Sequence, residues 1–187
     1  MTQLLKRAAK SAAPAKEQEP VHQFLTFLLD REPYAIGILV IKEIIEYGNL
    51  TPVPLMPEFI RGVLNLRGSV VPVIDLAARF GRAGAEVGRR TCIVIIEMEN
   101  DGETQDVGVI VDAVNEVLDI PAGAIQPPPA FGAKIRVDFI SGMVELDGRF
   151  IIILDVNRVL SIDEMELLAS LGEEDGAPEQ EAEIAAE

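Results

Sequence analysis

Phe59–Leu76 reads FIRGVLNLRGSVVPVIDL, and eighty residues later Phe139–Val156 reads FISGMVELDGRFIIILDV. Six of the eighteen positions are identical: Phe59/Phe139, Ile60/Ile140, Gly62/Gly142, Leu66/Leu146, Gly68/Gly148 and Asp75/Asp155. Unrelated letters would give about one, and most of the other positions exchange one apolar residue for another. Each copy is an apolar run, a turn and a second apolar run. A tight hairpin needs positive φ between its strands, which glycine adopts freely, so Gly68 and Gly148 are predicted turn residues. Asp75 and Asp155 close the second run just before LAARFG and VNRVLS, where a carboxylate can accept backbone N–H bonds and cap a short helix. Capping accounts for both aspartates without acid or base chemistry. Pro72 has no N–H to donate, so it belongs on an edge or at a non-pairing position.

Outward from this pair the chain is a series of short apolar runs (FLTFLL, YAIGILVI, CIVIIEM, VGVIVDAV) separated by turn chemistry such as DREP, ENDGE and LDGR. YAIGILVIKEI and QDVGVIVDAVNEV form a looser echo with a two-residue slip. GRAGAEVGRR, from Gly81 to Arg90, interrupts the aliphatic pattern and divides the body. The expected organisation is a flexible leader over 1–20, a β lobe over 21–84, a second β lobe over 85–160, a helix over 161–172 and a disordered acidic tail over 173–187. The helix rests on Ser161 with Glu164 as a capping box, a Met165, Leu168, Leu171 stripe and Gly172 as a stop.

The composition is 49% hydrophobic but only 5% aromatic with no Trp, which predicts an aliphatic core and favours strands. Net charge is −15, yet ten acidic residues and no Lys or Arg lie between Ser161 and Glu187, leaving −5 on the remainder. One cysteine, Cys92 in TCIVII, cannot form an internal disulfide and fits a reducing cytoplasm. No apolar run reaches the roughly 18 residues that span a bilayer. With one histidine, His22, and one cysteine, neither a Ser-His-Asp arrangement nor a His- or Cys-based metal site can be assembled. There is no phosphate-binding Gly-rich loop and no basic stripe for nucleic acid. These residues predict a non-catalytic module without cofactor or metal whose surface binds other proteins.

GILVIKEIIEY, MPEFIRGVLNLRGSVVPVIDL, AIQPPPAFG and DFISGMVELDGRFIIILDV, in that order, resemble the chemotaxis coupling protein CheW family and the related regulatory domain of the chemotaxis histidine kinase. The likeness runs from about Phe24 to Leu160. It implies an all-β fold of two pseudo-symmetric, five-stranded SH3-like barrels side by side with short helices. It also implies a cytoplasmic adaptor, held at membrane-bound receptor arrays through protein contacts, that couples chemoreceptor signalling tips to the histidine kinase. A scaffold of another chemosensory-type pathway, for surface motility or gene regulation, is the alternative. By the same resemblance, receptor contact falls on Ile41, Glu43, Gly62, Arg67 and Val114, and kinase contact on Gln126 and Phe131. Gln126 stands where the family often carries a basic residue. The repeat adds its own reading: Arg61/Ser141, Asn65/Glu145 and Arg67/Asp147 differ in charge because the two copies face different partners, and Arg67 offers a planar guanidinium fork that Asp147 cannot.

Overall fold

The computed structural model describes residues 19–100, 102–128 and 135–161. Ten strands and two one-turn helices follow in chain order: β1 (Val21–Leu29), β2 (Glu32–Gly37), β3 (Ile41–Glu46), β4 (Ile60–Leu66), β5 (Ser69–Asp75), α1 (Leu76–Arg79), β6 (Cys92–Asn100), β7 (Glu103–Val111), β8 (Ala113–Pro121), β9 (Ile140–Leu146), β10 (Arg149–Leu154) and α2 (Val156–Val159). A single 3-10 turn, Ile38–Val40, joins β2 to β3. The strands form two five-stranded sheets with orders β8-β1-β2-β10-β9 and β3-β6-β7-β5-β4. The repeat is therefore complete: β1 to β5 with α1 correspond, in order, to β6 to β10 with α2. The parallel pairs β2–β10 and β7–β5 occupy matching places in the two sheets.

The expected lobe boundary between residues 84 and 85 is corrected by this topology. It separates the two sequence copies but not the two sheets. The second sheet runs continuously over 41–111, whereas the first combines β1 and β2 with β8, β9 and β10 from the other end of the chain. Each copy lends its opening hairpin to the sheet built from the other copy's last three strands.

Local expectations at the repeat hold. Arg67 and Gly68 have φ of 52° and 94°, and Asp147 and Gly148 have 50° and 75°, so both hairpins turn through paired left-handed residues. Asp75 caps α1 by accepting from Ala78 N, and Asp155 caps α2 by accepting from Asn157 N and Arg158 N. Pro72 lies on an inner strand, opposite Val63. Val63 uses its own N–H and C=O on Thr51, so no bond between β4 and β5 is missing at the proline, and the β5–β7 ladder begins only at Val73. Gln126 and Met143 make the equivalent bridge in the first sheet.

One core cluster spans both sheets, with Leu25, Phe27, Tyr34 and Ile140 from the first, Ile74, Val94, Ile96 and Val109 from the second, and Phe139 from the turn before β9; a satellite cluster lies on each sheet's far side. The shared core is less aliphatic than composition suggests, because the few aromatics concentrate in it. Phe27, Tyr34, Phe80 and Phe139 form a chain of rings with centroids 6.3, 5.9 and 6.0 Å apart. Two arginines stitch the same seam. The Arg79 guanidinium lies 5.0 Å from each of the repeat-related rings Phe59 and Phe139, and its Nε donates to the Val159 carbonyl at 3.0 Å. Arg82 Nη2 donates to Glu32 and to the Tyr34 hydroxyl, both at 2.8 Å, crossing from the loop after α1 to β2.

Burial raises the Tyr34 hydroxyl above its ordinary value of 10.0, with Arg82 opposing and Glu32 adding to the shift. A raised folded-state pKa means that the folded state holds the proton more tightly than the unfolded chain does. The contribution is complete below the unfolded value and is lost as pH rises through the folded one. Urea midpoints should therefore fall on the alkaline side of 10.0, and Tyr34→Phe should flatten that part of the profile.

Candidate functional site

The Arg67 side chain stands at the β4–β5 turn, 80% exposed, with its Nη2 donating to Glu43 Oε2 at 3.0 Å. The turn fixes the arginine by backbone geometry, since Asn65 Oδ1 accepts from Gly68 N at 2.9 Å beneath it. Glu43 reaches the turn from β3, where the pairing with β6 slips between Ile41 and Glu43. Such a bulge re-aims side chains that would otherwise alternate. Here Lys42 and Glu43 line the same cavity of about 380 Å³, together with Leu66, Arg67, Ser69 and Asp106. Lys42 Nζ sits 2.8 Å from both Glu97 and Asp106. Hydrogen bonds to Asp106 and then to Glu97 raise its pKa, so the ammonium stays charged. The face thus presents two cations, each held by acidic neighbours, around a shallow polar recess. It can exchange those ion pairs for a partner's carboxylates and carbonyls.

The other expected contact residues divide by environment. Ile41 and Val114 are repeat counterparts: Ile41 lies opposite Ile96 in the second sheet, and Val114 opposite Phe27 in the first. Both are half-buried against the shared core, so each has one side to offer. Gly62 is buried, and a Cβ there would strike the Thr51 carbonyl, so any bearing on a receptor runs through the strand path it permits. Gln126 is exposed beside β9, and Phe131 lies outside the described residues.

Sequence reading missed one buried device at the opposite end of β5 from this turn. Asp75 is fully buried and does more than cap: Oδ2 accepts from Ala85 N at 2.8 Å and lies 3.4 Å from Arg61 Nη1. It ties α1, β4 and the loop after α1 together. The only sequence signal was Arg61 standing where the other copy has Ser141. Among the described residues no group of three or more His, Cys, Asp or Glu could hold a metal ion, and no helix is long and apolar enough to cross a membrane.

Two repeat-related sheets on a shared core, with ion pairs and apolar turns at the surface, define a scaffold-type β protein that works by contact. Residues 23–164 match the family model described as a CheW-like domain, and the chain belongs to the CheW family. It is 37% identical over 146 residues to the chemotaxis protein CheW of Klebsiella aerogenes, covering 78% of this chain and 86% of that one. It is 31% identical over 142 residues to protein FrzA of Myxococcus xanthus, covering 75% and 84%. The crystal structure of a scaffolding protein, TtCheW from Thermoanaerobacter tengcongensis, superposes with a TM-score of 0.71 at 33% identity over 84% of this chain and 99% of that one.

Proposed function

We infer that this chain is a chemotaxis adaptor that joins chemoreceptor signalling tips to the chemotaxis histidine kinase by holding both in fixed relative geometry. The observation that carries the receptor side is the exposed Arg67 guanidinium, fixed by a left-handed turn and by Glu43 beside a polar recess. A receptor helix would dock on Arg67 and Glu43, with Ile41 and Val114 supplying the apolar part of the contact. The kinase would bind through Gln126, beside β9 of the first sheet, and through Phe131. Interfaces of about 800 Å² per partner suffice, because repeated contacts in an array reinforce one another.

Arg67→Ala should weaken binding to a receptor signalling tip at least about tenfold, or 1.4 kcal/mol. An exposed ion pair adds little to folding, so melting should stay within a degree or so of the parent. Calorimetric titration with the receptor fragment beside a thermal melt checks both. An unchanged titration overturns the receptor assignment. Co-sedimentation with receptor-bearing membranes and kinase, scored by kinase activation, separates chemotaxis coupling from service in another chemosensory-type pathway.

A further inference from the structure

The β1–β2 hairpin packs on strands from the far half of the chain, β1 on β8 and β2 on β10. Within the described residues it is joined to the other strands through one connection, the 3-10 turn Ile38–Val40. The corresponding hairpin β6–β7 is tethered at both ends, and Asp112 alone links it to β8. The Ile38–Val40 turn has no buried residue and no side-chain cap. Its middle residue, Leu39, is 97% exposed, the most exposed large apolar side chain among the described residues. Ile-Leu-Val is also poor material for a 3-10 turn, since such side chains suit an extended strand. The backbone on either side, Gly37 with ψ of 135° and Ile41 with ψ of 123°, is extended already.

We propose that two copies of this chain exchange their β1–β2 hairpins by opening the Ile38–Val40 turn, forming a closed dimer in which each hairpin completes the partner copy's first sheet. Exchange keeps the hairpin's pairing with β8 and β10 and its place in the shared core. Leu25, Phe27, Leu29, Tyr34 and Ile36 return to the same core, and Glu32 and Tyr34 meet the other copy's Arg82. Only the turn alters. Opened, Glu32–Glu46 becomes one continuous strand, and two such strands can pair about the dimer axis at Ile38–Val40. That pairing covers the two Leu39 side chains that the monomer leaves in water. Because the Arg67–Glu43 face belongs to β3 and the β4–β5 turn, it survives in both halves, and the dimer is a bivalent form of the adaptor. The proposal does not depend on which receptor or kinase binds.

Gln23 and Asp119 face each other across β1 and β8 and are hydrogen-bonded at 2.9 Å, so they report which chain supplies the hairpin. The full chain carrying Cys92→Ala, Gln23→Cys and Asp119→Cys would be held reduced at the urea midpoint at high protein concentration, returned to buffer, fractionated by size with light scattering and then oxidised. The expected result is a dimer fraction whose chains run as a covalent pair on a non-reducing gel, beside a monomer fraction cross-linked within single chains. Absence of a dimer overturns the proposal, as does a dimer whose oxidised chains separate as single chains. Leu39→Asp, which sets like charges face to face where the two opened strands pair, should lower the dimer fraction at least about tenfold. An unchanged fraction would place the strand pairing elsewhere and equally overturn it.

Discussion

Asp75→Ala is expected to cost about 3–5 kcal/mol, while the same change at its repeat counterpart Asp155 costs about 1 kcal/mol. The two aspartates occupy the same place in the two copies and cap the same kind of one-turn helix. Their surroundings set the difference. Asp155 is only half-buried and serves two amides at 3.1 and 3.3 Å. Asp75 is sealed from water and accepts from Ala78 N at 3.2 Å and Ala85 N at 2.8 Å with Arg61 beside it, so its loss removes two charge-assisted bonds to half-buried amides and frees the loop after α1. Urea titrations of the two variants should show midpoints shifted by very different amounts at a common slope. Equal shifts would mean that the Ala85 and Arg61 contacts contribute nothing.

Gly62→Ala should be comparably severe. Residue 62 has φ of 143°, and a Cβ there would lie 2.9 Å from the Thr51 carbonyl carbon and closer still to its oxygen. Backbone strain of about 1–2 kcal/mol adds to an overpacking cost of about 1–3 kcal/mol, because Thr51 is held against Val63 by two backbone bonds and cannot retreat without losing them. Gly68 provides the control, since its φ is 94° but nothing lies within 4 Å of a built Cβ. Gly68→Ala should show the backbone cost alone. Loss of receptor binding in Gly62→Ala should therefore track loss of folded protein, whereas in Arg67→Ala it should not. A Gly62→Ala variant of parental stability would refute the steric account.

Much of this was legible in the letters because it is local. Turn glycines, capping aspartates and the outward arginine at residue 67 depend on neighbours within a few residues, and the repeat prints the glycines and the aspartates twice. The exchange of hairpins was not legible. An apolar strand reads the same whether it pairs within its own copy or with the other, and an eighty-residue echo reports kinship without reporting who pairs with whom. The seam was hidden for a related reason. Arg79 meets Phe59 and Phe139, and Arg82 meets Tyr34, across separations at which helical or strand periodicity carries no information. At the candidate site, the bulge that turns both Lys42 and Glu43 into one recess has no signature in IKEIIE.

The reciprocal loan of hairpins also bears on how the molecule is made. A ribosome delivers β1 and β2 first, yet Thr26 finds its hydrogen-bonding partner Glu116 ninety residues later. The second sheet has all its strands once Val111 has emerged, so it can form while the first hairpin still waits in the growing polypeptide. During that interval Phe27, Tyr34 and Ile36 lack their partners from β8 and β10, and chaperones or another nascent copy have their opportunity to engage them.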